Sequence, residues 1–502
     1  MNRGEAMKGE PPVVIQGPEL RRPWRVLTSS PVLAVLLVVG LGALSHRVPS
    51  LQRLALFDPL PEAEAAPPSV PAPVLVEGES TLESETTERP ELAQPENVEI
   101  PTGSRGPIAA EQGPALEPIN VEKPPVPIED PSGKALDGFY AALGRAQRKQ
   151  PDGIVRVLHF GDSIVTSDYV SGTLRRKLQG RFGDSGHGFM LMANAWPAYF
   201  HNDVSRFASS GWKVSRIVGP LSPDGLYGLG GVSFRAPPGS RARFGTAKSG
   251  HYGLNVSRYE VSYMKEPGGG KIQLNLDGKQ YKVLDTSADT KQTAVETIEV
   301  PDGAHELEVV TIKGSSRAFG VVMERDVPGV VLDAIGVQGA RIRFLDKQDD
   351  AHWAEQLRWR KPNLLIFEFG ANESGDGFAY PMDQYHETMK AVLQQARKAV
   401  PDAGCLIISA MDRAEKKGAS LQSMAVIPAI VKEQKSAAKE VGCAFFNTYE
   451  AMGGPGSMAA WVGRGLGQAD LTHPTGSGSE VLASWIFRAL MSGYDDYNKS
   501  RH

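Results

Sequence analysis

From residue 154 to 160 the chain reads Ile-Val-Arg-Val-Leu-His-Phe between Gly153 and Gly161, a short apolar run whose length and glycine bounds predict a buried strand. Apolar side chains then recur at helical spacing at Val170, Leu174, Leu178 and Phe182, with Ser167 or Asp168 as a cap and Gly183 as the stop. A further helical pattern over 136–147 precedes both. Strand, polar turn and helix predict an α/β opening. From about residue 194 the period changes to two. Segments 259–264, 272–276, 297–300 and 306–312 alternate apolar and polar positions between Gly-rich and Asp-Gly turns, which predicts an antiparallel β-sandwich over 194–327. The first texture returns afterwards: strands at 330–337, 363–369, 405–410 and 443–446 alternate with helices at 383–399, 427–440 and 480–491. The segments 133–193 and 328–502 therefore predict one doubly wound parallel sheet of about five strands, interrupted by the sandwich.

The amino-terminal region has other patterns. No side chain from Val26 to His46 carries a formal charge, and about 20 such residues span a bilayer. Arg21, Arg22 and Arg25 lead into the run, so the positive-inside bias predicts a cytoplasmic tail over 1–25, a transmembrane signal anchor over 26–46 and an extracytoplasmic remainder. A cleaved signal peptide is the alternative, because Ala43-Leu44-Ser45 resembles a small-residue cleavage site. Residues 47–132 read as a disordered Pro/Glu-rich linker. Between Pro59 and Pro131 there are sixteen prolines, fifteen acidic residues, three basic ones and no Phe, Tyr or Trp, so this stretch cannot build a core.

In the 502 residues, 54 Lys and Arg stand against 58 Asp and Glu, a net charge of −4 that gives no reason to expect nucleic acid as a partner. The two cysteines, Cys405 and Cys443, exclude a disulfide-dense scaffold and a four-cysteine zinc site. One bridge or two buried thiols remain open.

Candidate chemistry collects where predicted strands end. Gly161-Asp162-Ser163 follows the first strand, where a tight turn lifts the Ser163 hydroxyl at a helix start. A second copy, Gly183-Asp184-Ser185, follows a helix instead, and context selects Ser163. Asp470-Leu-Thr-His473 offers an imidazole to take the serine proton and a carboxylate to fix its tautomer. Asn372, after the strand at 363–369, can donate its amide to an oxyanion, and Gly339 its backbone N–H. Taken singly, each residue reads as an ordinary cap or turn; together, in this order, they favour catalysis. His159 reads as a core histidine. Trp196, Tyr199, Phe200, Trp212 and Tyr227 form either a sugar-stacking platform or sandwich core.

These four pieces resemble the sequence blocks of the SGNH, or GDSL, hydrolases. Within that superfamily the pattern is most similar to peptidoglycan O-acetylesterases, whose α/β domain carries a sandwich resembling a carbohydrate-binding module between the serine and glycine blocks. The resemblance covers only the α/β portion. It implies a flavodoxin-like sheet with Ser163 as nucleophile, His473 as base and Asp470 as its orienter. It also implies an oxyanion hole made by Ser163, Gly339 and Asn372, no metal or other cofactor, and an acetylated polysaccharide, most simply peptidoglycan, as substrate. Two positions depart from the pattern: Glu373 where an aspartate often stands, and Ser479 where an aromatic residue often does. An O-acetyltransferase shares the same triad, and a non-catalytic wall-binding protein is the rival from another class.

Overall fold

The structure, a computed structural model, describes residues 119–500 except Ala198 and Ala419. The expected cytoplasmic tail, membrane anchor and most of the linker lie outside the described residues. Among those described, no helix is long and apolar enough to cross a membrane.

Apolar positions on successive residues of the central strands point to opposite faces, so each strand feeds two cores. The strands are β1 (Ile128–Glu129), β2 (Ile154–Gly161), β3 (Gly329–Gly336), β4 (Leu364–Glu368), β5 (Gly404–Ile408) and β6 (Ala444–Phe446). Their spatial order is β3-β2-β4-β5-β6-β1. The first five are parallel, and β1 closes the edge antiparallel to β6. Val155, Val157, Leu364 and Ile366 share one core with residues of the helices Asp137–Gln147, Val170–Phe182 and Gly476–Lys499. Leu158, Phe160, Leu365 and Phe367 share the other with the helices Asp350–Arg360, Met382–Ala399 and Ile427–Val441.

The β-rich insertion leaves after the helix Val170–Phe182, which follows β2, and returns to β3, the hydrogen-bonded neighbour of β2. One antiparallel sheet runs Lys279–Asp285, Lys271–Leu276, Glu306–Lys313, Arg241–Thr246, Val204–Ala208. The other runs Gln292–Gly303, Val256–Lys265, Ser316–Glu324, Val232–Ala236, Lys213–Arg216, with Gly188–Leu191 also paired to Ser316–Glu324. The second sheet therefore recruits residues before 194. Gly188–Leu191 is apolar throughout and buried, so its pattern alone does not assign it to either part.

One expectation changes and one open alternative is decided. Residues 119–132, assigned to the linker by composition, pack onto the domain: Val126 is buried, Ile128 pairs with Phe446, and Trp485 Nε1 donates to the Asn120 carbonyl at 3.0 Å. A two-residue edge strand needs little hydrophobic sequence when a buried neighbour supplies its partner. Of the two readings open for the aromatic residues, the structure realises sandwich core and not a sugar-stacking platform. Trp196, Tyr199 and Tyr227 are buried and Trp212 packs on the core, leaving only Phe200 exposed; the insertion needed these rings to fill its interior.

Two connections matter for the site. Cys405 and Cys443 precede register partners on β5 and β6 and are joined as a disulfide, with Cα atoms 4.7 Å apart. After β5 the chain forms a two-stranded hairpin, Ala414–Lys417 against Ser420–Ser423, which the sequence pattern did not predict.

Candidate active site

Gly161 ends β2 where a Cβ would lie 2.4 Å from Val165 Cγ2 and 2.9 Å from the Glu368 carbonyl, so the strand can turn sharply only without a side chain. Asp162 then caps the short helix Ser163–Thr166, its Oδ1 accepting from the Ile164 N–H at 3.0 Å. The helix stops after one turn. Asp168 adopts a left-handed φ of 52° before Val170–Phe182 begins, so the macrodipole expected behind Ser163 is only one turn long. What remains useful is the first-turn Ser163 N–H, which has no acceptor among the described residues.

Far along the chain, Asp470 makes an Asx-type turn. Its Oδ1 accepts from the backbone N–H of Thr472 and of His473, each at 3.0 Å, while Leu471 is held at φ 61°. That turn returns the imidazole over its own carboxylate, and His473 Nδ1 lies 2.6 Å from Asp470 Oδ2. Burial alone would raise the Asp470 pKa. The His473 backbone and ring bonds and the Thr472 N–H outweigh it and hold the carboxyl below its ordinary value. An ionised Asp470 requires the proton on Nδ1, which leaves the Nε2 lone pair facing Ser163 Oγ at 2.7 Å. The structure thus brings Ser163, His473 and Asp470 into one chain of hydrogen bonds. The site is open: the His473 side chain is 33% exposed and that of Asp470 45%.

Gly339, at φ 79°, presents an N–H that has no acceptor among the described residues. Asn372 is placed differently from a free donor. Its Nδ2 donates to the Ala340 carbonyl at 3.0 Å and to Asp162 Oδ2 at 3.2 Å, so both amide hydrogens are engaged and one must be exchanged when an oxyanion forms. The same contacts tie the serine, glycine and asparagine segments together.

Asp162 was legible only as part of a tripeptide; its brace to Asn372 was not. It is fully buried, and burial pushes its carboxyl up to about 8, reinforced by Glu373 and Glu368 and opposed by the Ile164 and Asn372 bonds. Glu373, the departure noted above, is buried too and raised to about 6 by burial; it accepts from the Ile342 N–H at 2.8 Å. His159 is a core residue paired to Glu368 at 2.9 Å. Ser185 of the second Gly-Asp-Ser copy donates to the Val327 carbonyl at 2.5 Å, away from any base.

Asp168, His187 and His201 lie close enough to suggest a cation site. Their chemistry disfavours one. Arg175 holds both Asp168 oxygens, at 3.0 and 2.8 Å, and Ser171 and Asn202 take further lone pairs. Burial and the nearby Arg175 and Arg206 lower both histidines, so the cluster reads as a packed polar core. A cavity of about 840 Å³ between residues 123–128 and the last helix is not lined by Ser163, Gly339, Asn372, Asp470 or His473.

A doubly wound sheet that presents a Ser–His–Asp relay at the carboxyl ends of its strands defines the acyl-transferring serine hydrolases. Residues 313–481 match the model of the GDSL-like lipase/acylhydrolase family. The matched range contains Gly339, Asn372, Asp470 and His473; Ser163 lies before the insertion. A solved peptidoglycan O-acetylesterase is similar in fold, with a TM-score of 0.63 and 20% identity over 74% of this chain and 99% of that one. A family two carbohydrate esterase from Cellvibrio japonicus (13% identity, 58% of this chain and 98% of that chain, TM-score 0.24) is also similar. So is an acetylxylan esterase from Geobacillus stearothermophilus (18% identity, 32% and 73%, TM-score 0.25). No curated protein sequence matches this chain.

Proposed function

We propose that this protein is an exported, membrane-anchored serine esterase that removes O-acetyl groups from peptidoglycan. The observation that carries the reading is the relay from Ser163 Oγ through His473 to Asp470, at 2.7 and 2.6 Å. His473 takes the hydroxyl proton as Ser163 attacks the acetyl carbonyl. The N–H groups of Ser163 and Gly339, joined by the Asn372 amide, receive the oxyanion. The protonated imidazole then passes its proton to the departing sugar oxygen, leaving an acetyl-enzyme that water, activated by His473, hydrolyses to acetate.

Polysaccharide as substrate is supported by the open site, which leaves room for a polymer, and by the shared fold with a peptidoglycan O-acetylesterase. Export is supported by the Cys405–Cys443 disulfide, a bond typical of oxidising compartments, and anchoring by the uncharged run at 26–46. A periplasmic or other extracytoplasmic catalytic domain follows.

The test is acetate release by the full-length chain from O-acetylated peptidoglycan and, separately, from acetylated xylan. Ser163→Ala is expected to lower turnover by at least about 1000-fold without lowering the melting temperature. Quantitative transfer of acetyl to muropeptides in place of free acetate identifies a transferase. Wall binding with no acetate release and no effect of Ser163→Ala identifies a non-catalytic binding protein.

A further inference from the structure

The hairpin after β5 stands at a junction of the site. Arg413, just before it, donates from Nη1 to the Ala371 carbonyl at 2.8 Å and to Ser374 Oγ at 3.0 Å, on the loop that carries Asn372. Ala414, its first residue, donates its N–H to the Leu471 carbonyl at 3.0 Å, between Asp470 and His473. The hairpin's base therefore spans the oxyanion side and the imidazole side. It is held there by Met424 N–H on the Arg413 carbonyl at 2.8 Å and by Ser423 Oγ on the buried Asp412 at 2.8 Å.

Beyond that base the hairpin is exposed and cationic. Lys416 and Lys417 are exposed; Glu415 lies 3.1 Å from Lys417 Nζ, and Lys416, on the other face of the strand, has no ion-pair partner among the described residues. This excess of positive charge stands out on a chain of net charge −4. Strands advance about 3.3 Å per residue, so the two lysines lie about 7 and about 10 Å along the strand from Ala414, the residue bonded to the His473 loop. The leaving alcohol must sit on this side, because His473 Nε2 gives it the proton; the rest of the polymer extends from that alcohol. On the other side of the Asn372 loop, Arg341 and Arg343 share a single carboxylate, Asp376, at 2.6 and 3.1 Å, so the rim is basic there too.

We propose that the hairpin Ala414–Lys417/Ser420–Ser423 is a binding arm for the anionic part of the polymer, with Lys416 and Lys417 contacting carboxylates next to the acetylated sugar. This deepens the peptidoglycan reading and rests on it: peptide stems carry carboxylates, whereas a neutral backbone such as xylan offers the lysines nothing. The arm acts on capture of the polymer, so its effect falls on KM and weakens with salt.

The experiment uses the full-length chain with O-acetylated peptidoglycan and with the same material after its carboxyls are amidated with methylamine. Acetate release is followed at low and high salt. At low salt kcat/KM is expected to favour the native wall about tenfold, a preference that shrinks toward unity near 1 M salt. Lys416→Gln with Lys417→Gln is expected to cut the native-to-amidated ratio about fivefold through KM, and Lys416→Arg with Lys417→Arg to preserve it. A ratio that is the same in wild type and the glutamine double variant, or that ignores salt, overturns the arm while leaving the esterase reading intact. Cleavage of 4-nitrophenyl acetate without acetate release from either wall overturns the peptidoglycan reading, and the arm with it.

Discussion

Asp470 serves two purposes with one carboxylate: Oδ1 closes the turn and Oδ2 receives the imidazole, so loop shape and tautomer depend on the same group. The three-residue spacing to His473 shows in the sequence because an Asx-type turn is local. The meeting with Ser163, 310 residues away, does not, because it depends on how strands stack. Asp162 is less legible still, since nothing in a tripeptide reveals full burial. Its folded pKa, near 8, is raised above the 3.8 of an ordinary aspartate. The folded protein therefore keeps a proton that the unfolded chain loses above about pH 4, and stability declines as pH rises from there to about 8, then levels off. Asp162→Asn removes that titration. Thermal melts are expected to show a flatter profile across this window and a higher melting temperature than wild type at pH 8. Turnover is expected to fall about tenfold or more, because the Asn372 brace is altered. A variant whose melting profile retains the wild-type slope would assign the pH dependence elsewhere.

Among the elements, the parallel strands were the easiest to read, because strands covered on both faces are continuously apolar and end at glycines or polar turns. The hairpin after β5 was hidden: Glu415, Lys416 and Lys417 carry no hydrophobic alternation, and tertiary hydrogen bonds at its base hold it. Composition likewise misassigned residues 119–132, whose order comes from the β6 edge and the last helix. The cysteines were undecided until register placed them side by side. Their bridge closes a span of 38 residues, for which loop entropy gives about 4 kcal/mol. Denaturant unfolding of Cys405→Ser with Cys443→Ser is expected to lose that order of stability, and reductant to bring wild type down toward the variant. Equal midpoints with and without reductant would remove the bridge from the stability of the fold.

At the scale of the whole molecule, insertion and α/β domain are joined by buried charge. Glu324, on an inserted strand, accepts from Arg156 of β2 at 2.9 and 2.7 Å and from Arg360 at 2.7 Å, and it also pairs with Arg258. Arg360 in turn binds Asp333 of β3 at 2.7 Å. Burial would raise Glu324, but Arg360, Arg156 and Arg258 pull its carboxyl far below the usual 4.5. Its stabilisation is therefore complete above pH 4.5 and is lost as pH falls below it. Glu324→Gln strands the arginines and is expected to cost about 3–5 kcal/mol at neutral pH, with a weaker response to acid than wild type; chemical denaturation at pH 7 and pH 4 checks both. No sequence pattern announces such a junction, since its members come from five separate elements. The path of the chain through this junction also orders events during synthesis. Ser163 is made early, Gly339 only after the whole insertion, and His473 just before the closing helix. A ribosome that stalls anywhere upstream of that imidazole releases a product with a hydroxyl and no partner to deprotonate it, so incomplete translation leaves an inert fragment.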